Sequence, residues 1–385
     1  MSSTPISNDA GICEIPNLST REQEFLQGVR DFVQSEVLPN TRKWEEDKAF
    51  PDEIWKKMAN KQILSMTVPE SMGGSGFSCM AYVEACRELA KGDPALAMNV
   101  AAVNALCLAH FEHFANDEQI SKYLAGCMSG DIKLAWGLTE PDAGSDARRV
   151  KTFAKPIEDK PGYYHLNGEK MFITNGGKAD LIIMIARTSD TELSAFFMET
   201  DQPGFEVVER INTVGVSASN TVRFELKDAV AWHTPCDFRE AISLLYRGRL
   251  GIAGMATGIA EKAFELSVDY SKEREQFNRR LADMQSVQNM LADSAVDVTA
   301  SKTLLHRGAA MYDRGENVVE ASSIAKLYAS EAANRVTNRA IQIHGGRGMT
   351  FDYLVEKLWR DAKLTEIGEG CSEIQRLVIS KEVLR

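Results

Sequence analysis

No Cys-x-x-Cys pair occurs in this chain of 385 residues, and its seven cysteines (Cys13, Cys79, Cys86, Cys107, Cys127, Cys236, Cys371) are odd in number and scattered. That pattern excludes a zinc-ribbon spacing or a paired disulfide frame and points to free thiols in a reducing compartment. The six histidines do not cluster, so no metal site is expected, and His344 stands without an evident partner. Basic residues are outnumbered, 44 Lys and Arg against 55 Asp and Glu, a net charge of −11. Nucleic acid as the main partner needs a basic surface and is therefore not expected, although a local basic pocket for a phosphorylated ligand stays compatible. The first twenty residues lack an apolar signal core and an Arg-rich presequence, and no apolar run is expected to reach membrane-spanning length. The expectation is a soluble, cytoplasmic protein with no membrane partner. A Gly-x-Gly-x-x-Gly turn between strand and helix is also missing. Gly73-Gly74-Ser75-Gly76 and Gly345-Gly346-Arg347-Gly348 fit neither a Rossmann turn nor a Walker loop, so any nucleotide cofactor must be held by other means. No nucleophilic triad is suggested.

What is present has the balance of a globular protein, 44% apolar and 26% charged, and the length suffices for two or three domains. Residues 1–130 read as helical. Ser19-x-x-Glu22 is a capping box ahead of Phe25, Val29, Phe32 and Val33 on one face, Pro39 ends the run, and further helices are expected near 80–91 and 117–129. Residues 131–237 change character: Lys170–Thr174, Leu181–Ile185 and Ala195–Met198 are short apolar or β-rich runs between turn residues. Val222, Phe224 and Leu226 alternate with Arg223, Glu225 and Lys227, as in a strand with one wet face. From 238 to 385 the helical period returns in long runs near 239–274, 284–314 and 318–343, with a last helix at 372–385. The fold class expected is α+β and multidomain: an N-terminal all-α domain, a central β-barrel-like or β-sandwich domain, and a C-terminal four-helix bundle.

Two segments could carry chemistry. Glu369 lies between Gly368 and Gly370, in backbone that can bend sharply, just before the helix opening at Cys371-Ser372-Glu373. Such an acid could be a general base, or an ordinary carboxylate favoured near a helix N-terminus by the dipole. Leu138 to Asp146 combines small residues, free backbone N–H groups and the hydroxyls of Thr139 and Ser145. It suits a pyrophosphate and a polar ring, and equally a polar turn between domains.

Taken in order, Thr139-Glu140-Pro141-Asp142-Ala143-Gly144-Ser145-Asp146, Leu166 to Asn175, Arg274-Glu275-Gln276-Phe277, Gln342-Ile343-His344-Gly345-Gly346, and Glu369-Gly370 followed by Ser372 to Arg376 form a recognisable series. The chain resembles the acyl-CoA dehydrogenases, FAD enzymes that oxidise acyl-CoA thioesters to 2-enoyl-CoA, over nearly its whole length. The resemblance implies that Glu369 is the base that takes the α-proton. Some members place the base before an arginine on the first long bundle helix; here that position is Gly248, preceding Arg249. It further implies FAD contacts from Trp136, Leu138, Thr139, Gly144, Ser145, Phe172, Thr174, Cys371 and Glu373. Arg274, Phe277, Gln342, Gly345 and Gly346 match residues that reach the FAD of a neighbouring subunit. Ser145, Arg249 and Gly370 match positions along the acyl-CoA channel. The family pattern carries with it a homotetramer built as a dimer of dimers, and an electron-transferring flavoprotein as electron acceptor.

Four positions depart from the pattern. Gly368 stands where many members carry a bulky aromatic, Cys371 replaces a common Thr, Tyr246-Arg247 lies where an aspartate often precedes Gly-Arg, and the link Ala229 to Glu240 is short and lacks its usual glycines. They bear on the acyl group and the CoA contacts rather than on the flavin loops. An oxidase of the same fold is the nearest alternative; such enzymes usually carry a long C-terminal extension, and this chain stops at Arg385. A nucleic-acid-associated flavin protein would need the basic C-terminal region that is missing here.

Overall fold

Ser19 opens the first helix as its spacing to Glu22 predicts: the Glu22 amide donates to Ser19 Oγ at 3.3 Å and the Ser19 amide donates to Glu22 Oε2 at 2.8 Å. The computed structural model describes residues 18–385, so the reading of the chain's start, with Cys13, lies outside the described residues. Helices α1 (Thr20–Phe32), α2 (Thr41–Asp47), α3 (Glu53–Asn60), α4 (Cys79–Gly92), α5 (Pro94–Ala102), α6 (Leu108–His113), α7 (Asp117–Gln119) and α8 (Ala125–Met128) make up the first part. Phe25, Val29, Phe32 and Val33 are all buried, and Pro39 sits in the 3-10 turn Leu38–Asn40 between α1 and α2. One expectation fails here. The stretch Pro94–His113, α5 and α6 joined by a π-helical turn, is long and apolar enough to cross a membrane, yet 94% of its most apolar window is buried inside the protein. It was missed because a core helix enclosed on all sides shows no polar face, and hence no periodicity.

The β domain contains β1 (Leu134–Gly137), β2 (Phe153–Pro156), β3 (Tyr163–Ile173), β4 (Leu181–Arg187), β5 (Leu193–Glu199), β6 (Phe205–Arg210) and β7 (Val222–Asp237). β4 pairs with β5, β5 with β7, β7 with β3, β3 with β2, and β2 returns to β4 through Phe153 opposite Arg187. Five strands therefore close a ring, with β1 parallel on β4 and β6 on the far edge of β7. Its interior holds Leu166, Ile182, Met184, Phe196, Phe224 and Ala231. Leu181, Ile183 and Ile185 on the other face of β4 join the helical core, which explains why β4 reads as an unbroken apolar run.

The predicted wet-faced strand is only the first third of β7. What reads as a link after Lys227 is strand as far as Asp237. Asp228 turns the backbone there with φ +55°, braced by reciprocal bonds with the Asn167 side chain at 2.8 and 3.0 Å. Beyond this irregularity β7 changes partner from β6 to β5. An aspartate in left-handed backbone resembles a turn in sequence, so the continuation was not legible.

Asp237 then caps α9 (Phe238–Ser243), followed by α10 (Leu245–Glu273), α11 (Gln285–Asp313), α12 (Val319–His344), α13 (Val355–Thr365) and α14 (Ser372–Val383). α10, α11 and α12 pack on one another, α13 and α14 pack on α12, and α4 crosses α10. Gly254 and Gly258 permit that crossing: a Cβ on either would lie 2.6 or 2.1 Å from a carbonyl oxygen of α4. All three parts of the chain meet at one buried polar junction. Lys357 of α13 binds Asp361 at 2.6 Å and Asp93 at 3.4 Å, while Asp361 accepts the Val216 amide of the β domain at 2.6 Å and Asp93 accepts Thr41 Oγ1 at 2.5 Å. α13 is thereby fixed against both neighbours, and it leads directly into the turn carrying Glu369. His344, unpartnered by its sequence context, is in fact stacked on Tyr270 at 4.2 Å and bonded through Nδ1 to the Ala340 carbonyl.

Candidate active site

The end of α13 sets the position of Glu369. The Ile367 and Gly368 amides both donate to the Leu364 carbonyl at 2.9 Å, and the Ser372 amide reaches back to the Glu366 carbonyl at 2.9 Å, folding Glu366–Ser372 into a tight turn. Glu369 itself adopts φ +54° and Gly370 φ +93°. Left-handed backbone costs a non-glycine residue about 1–2 kcal/mol, so the surrounding contacts must impose it. They do: Gln375 Nε2 donates to the Glu369 carbonyl at 3.3 Å and to the Gly370 carbonyl at 2.9 Å, and Lys326 Nζ donates to the Gly370 carbonyl at 2.7 Å. At Gly370 a Cβ would stand 2.8 Å from that same Gln375 amide, so glycine is required there on two counts. The Glu369 amide makes no hydrogen bond among the described residues.

Glu369 is partly exposed as a residue, and the burial of its carboxylate rests on one oxygen. Oε2 is shut off from solvent and has no hydrogen-bond partner. The carboxylate lies over Gly248 of α10, where a Cβ would approach Oε2 to 2.0 Å, so the two positions at which the family places its base share one space. Burial pushes the Glu369 carboxyl up to about 7, against the opposing pull of the Arg249 and Lys326 cations. Arg249 is buried, donates to Ser323 Oγ at 3.2 Å, rests over the Tyr246 ring at 5.4 Å, and keeps Nε without a partner.

Among the described residues several buried side-chain polar atoms lack a partner. Glu369 Oε2, Arg249 Nε and, on α14, Ser372 Oγ and Gln375 Oε1 belong to the Glu369 turn and the helices packed on it, Trp136 Nε1 lies on β1, and Asn99 Oδ1, Asn104 Oδ1 and His110 Nε2 lie in the α5–α6 stretch. Buried polar atoms are normally paired, so a concentration of orphans marks a place where a ligand completes the bonding. Ser145 lies beside Cys371, Oγ to Sγ 3.7 Å, joining the Leu138–Asp146 loop to the start of α14. That loop is held from below. Glu140 accepts the Lys151 and Thr152 amides at 2.5 and 2.9 Å, and Lys170 of β3 donates to Glu140 at 2.9 Å and to the Leu138 carbonyl at 3.0 Å. Thr139 O accepts the Met171 amide at 2.9 Å, which sets the loop beside Phe172 and Thr174. Phe172 has φ +58° and is 57% exposed, an aromatic ring presented outward by a strained residue. Gly144, Ser145 and Glu373 are exposed; Thr139, Thr174 and Cys371 are half-buried; Leu138 is buried.

The remaining sequence-selected residues are not brought to Glu369 by their own chain. Gln342 lies sixteen residues beyond Lys326 on α12, about 24 Å along the helix. Gly345 and Gly346 are exposed, with nothing within 4 Å of where a Cβ would be. Arg274 ends α10, and Phe277, 89% exposed with φ +54°, tips the hairpin Glu275–Gln276 and Arg279–Arg280. Sequence reasoning missed Lys326 and Gln375. A signal for Lys326 was available: it is a lysine within a helix face of Ser322, Ser323, Ala329 and Ser330, all fully buried.

Separately, a cleft of about 710 Å³ opens on the β domain and α9, where Arg148 and Arg239 stand among Glu192, Asp237 and Glu240. Arg148 stacks on the Phe238 ring at 4.8 Å.

Comparison with known proteins identifies the family. Three family profiles match in chain order: acyl-CoA dehydrogenase N-terminal domain over residues 19–131, middle domain over 135–229 and C-terminal domain over 238–384. An acyl-CoA dehydrogenase of Bacillus subtilis is 39% identical, over 95% of this chain and 98% of the relative. The caffeyl-CoA reductase-Etf complex subunit CarC of Acetobacterium woodii is 35% identical, over 92% of this chain and 96% of the relative. The three-dimensional structure of butyryl-CoA dehydrogenase from Megasphaera elsdenii superposes with a TM-score of 0.92 at 34% identity, covering 96% of this chain and 99% of that one. On these matches, and on the helical, β and helical order seen in the fold, the chain belongs to the acyl-CoA dehydrogenase family of flavoprotein oxidoreductases.

Proposed function

We propose that this chain is an FAD-dependent acyl-CoA dehydrogenase in which Glu369 removes the α-proton of an acyl-CoA thioester as it is converted to the 2-enoyl-CoA. One observation carries the reading: among the described residues Glu369 Oε2 is shut off from solvent without a hydrogen-bond partner, and the carboxyl's proton affinity is raised to about 7. A C–H beside a thioester is a weak acid, and a base that titrates near the working pH abstracts it best. Negative charge gathers on the thioester oxygen during that step, and donors fixed in advance stabilise it. The chain's own donor is the Glu369 amide, free of any other bond and held by the left-handed turn. Ser145, Arg249 and Gly370 line the approach of the acyl group.

The residues present fit FAD. The orphaned Trp136 Nε1 and Ser372 Oγ, the outward ring of Phe172 and the supported Leu138–Ser145 loop form a bed for a polar ring system. When bound, FAD supplies the acceptor for the β-hydride. Leu138, Thr139, Gly144, Ser145, Phe172 and Thr174 hold it from the β domain, and Cys371 and Glu373 from the start of α14. Arg274, Phe277, Gln342, Gly345 and Gly346 complete the site of a neighbouring copy, because in their own chain they are exposed (Arg274 half-buried) and distant from Glu369. A homotetramer, as a dimer of dimers, supplies that neighbour. An electron-transferring flavoprotein is the proposed acceptor, supported by the relative named as a subunit of an Etf complex.

The acyl group we propose is short and branched or cyclic near its reacting carbons. Beside the base, the three atoms nearest to a Cβ on Gly368 all belong to Leu364, at 3.6 to 3.9 Å, so the space an aromatic would take is not closed off there. A panel of acyl-CoA esters, assayed with a dye acceptor and then in air without dye, tests the activity and separates dehydrogenase from oxidase. The expected result is a yellow protein that reduces dye with acyl-CoA. Flavin-free protein that cannot be reconstituted with FAD would end this reading.

A further inference from the structure

Lys326 is fully buried on α12 and, among the described residues, makes one hydrogen bond, to the Gly370 carbonyl at 2.7 Å, and no direct ion pair. An ammonium offers three donors, and burying it is costly unless its charge is answered nearby. A neutral donor such as Gln375, which also reaches the Gly370 carbonyl, holds the same atom without that cost. The charge therefore needs a separate reason, and the facing groups supply one. Glu369 is met by Arg249, backed by Tyr246, from α10, by Lys326 from α12, and by Tyr82 and Cys86 from α4, while Lys326 is in turn met by Glu366 from the end of α13 and by Cys371 from the start of α14. Of these only Arg249 and Lys326 are cations.

Resting on the reading of Glu369 as the base, we infer that Lys326 is its positioning residue, pinning the Gly370 carbonyl so that the turn keeps its left-handed form and supplying positive charge that keeps the buried carboxylate able to ionise. The two functions are separable in chemistry, since a side-chain amide retains the donor and loses the charge. Burial brings Lys326 down to about 8, with Glu369 resisting that fall, so base and cation titrate in neighbouring ranges and the pH response belongs to the pair.

The test uses the flavin-loaded protein and follows the rate of flavin bleaching by acyl-CoA across the neutral range. In both Lys326→Gln and Lys326→Met the acid limb should move up by about one pH unit, because removing a nearby cation makes the carboxylate harder to ionise. Lys326→Gln should keep the high-pH plateau and Lys326→Met should lower it, through loss of the Gly370 bond. Flavin content and melting temperature are measured first; if Lys326→Met does not load flavin, the position of the limb in Lys326→Gln decides, and failure of both to load counts against a local role. A limb that stays at the wild-type pH while the plateau falls overturns the inference and leaves Lys326 as packing. Glu369→Gln in the same assay keeps the two ideas apart. If that variant is active, the base itself is wrongly assigned. If it is inactive and the Lys326→Gln limb has not moved, only the role of Lys326 is refuted.

Discussion

Replacing Glu369 by glutamine should raise stability and abolish activity in one step. The amide is nearly isosteric but cannot accept the α-proton, so activity should fall by about 10²–10⁴-fold with flavin retained. The stability change follows from the same burial. The carboxyl rises from its ordinary 4.5 to about 7 in the folded protein, so the native state holds this proton more tightly than the unfolded chain does. Its contribution is fully present below about pH 4.5 and is lost as the pH rises through about 7, because the folded protein must then enclose an ionised carboxylate. At about 1.4 kcal/mol per pH unit the cost reaches about 3 kcal/mol at alkaline pH. Glutamine does not ionise, so the variant should match wild type in melting temperature at the acid end of the range and exceed it at the alkaline end. The value is an upper bound, since Arg249 and Lys326 lose the charge that offsets their own burial. Scanning calorimetry at both ends, with flavin bleaching on the same samples, measures both effects. A variant that still bleaches at a substantial rate, or one whose melting temperature differs from wild type equally at both pH values, would refute the reasoning.

Gly248→Ala places a Cβ 2.0 Å from Glu369 Oε2 and should displace the base, costing about a hundredfold in turnover while FAD content stays at one per chain; full activity would mean that the carboxylate works from another position. Phe277→Ala removes an exposed ring from the hairpin tip and should loosen FAD and weaken assembly, read by light scattering and by flavin loss on dilution; an active, flavin-loaded monomer contradicts the shared site. Gly368→Tyr should penalise branched or cyclic acyl-CoAs far more than butyryl-CoA; an equal effect on all substrates, together with a wild-type preference for straight medium chains, removes the argument from space.

The elements that were legible in the sequence are those whose two faces meet different surroundings. α1, with its capping box and a single apolar stripe, and the first third of β7, alternating Val222, Phe224 and Leu226 with charged residues, carry their burial pattern in their own spacing. α5 and α6, enclosed on every side, and β7 beyond the Asp228 irregularity do not, because the information lies in the elements packed against them. The site divides in the same way. Glu369 and the Leu138–Asp146 loop stood out as local motifs, with glycines and hydroxyls where a ligand must approach closely. The proton affinity of Glu369 has no local signature at all. It is set by the missing side chain at Gly248, by the Arg249 and Lys326 charges, and by the closure that keeps water from Oε2. Those contributions come from α10 and α12 and meet only after the bundle has formed. Gly248 illustrates the point: as a sequence position it reads as a base that is absent, whereas in the folded chain its lack of a side chain is what leaves room for the carboxylate of Glu369.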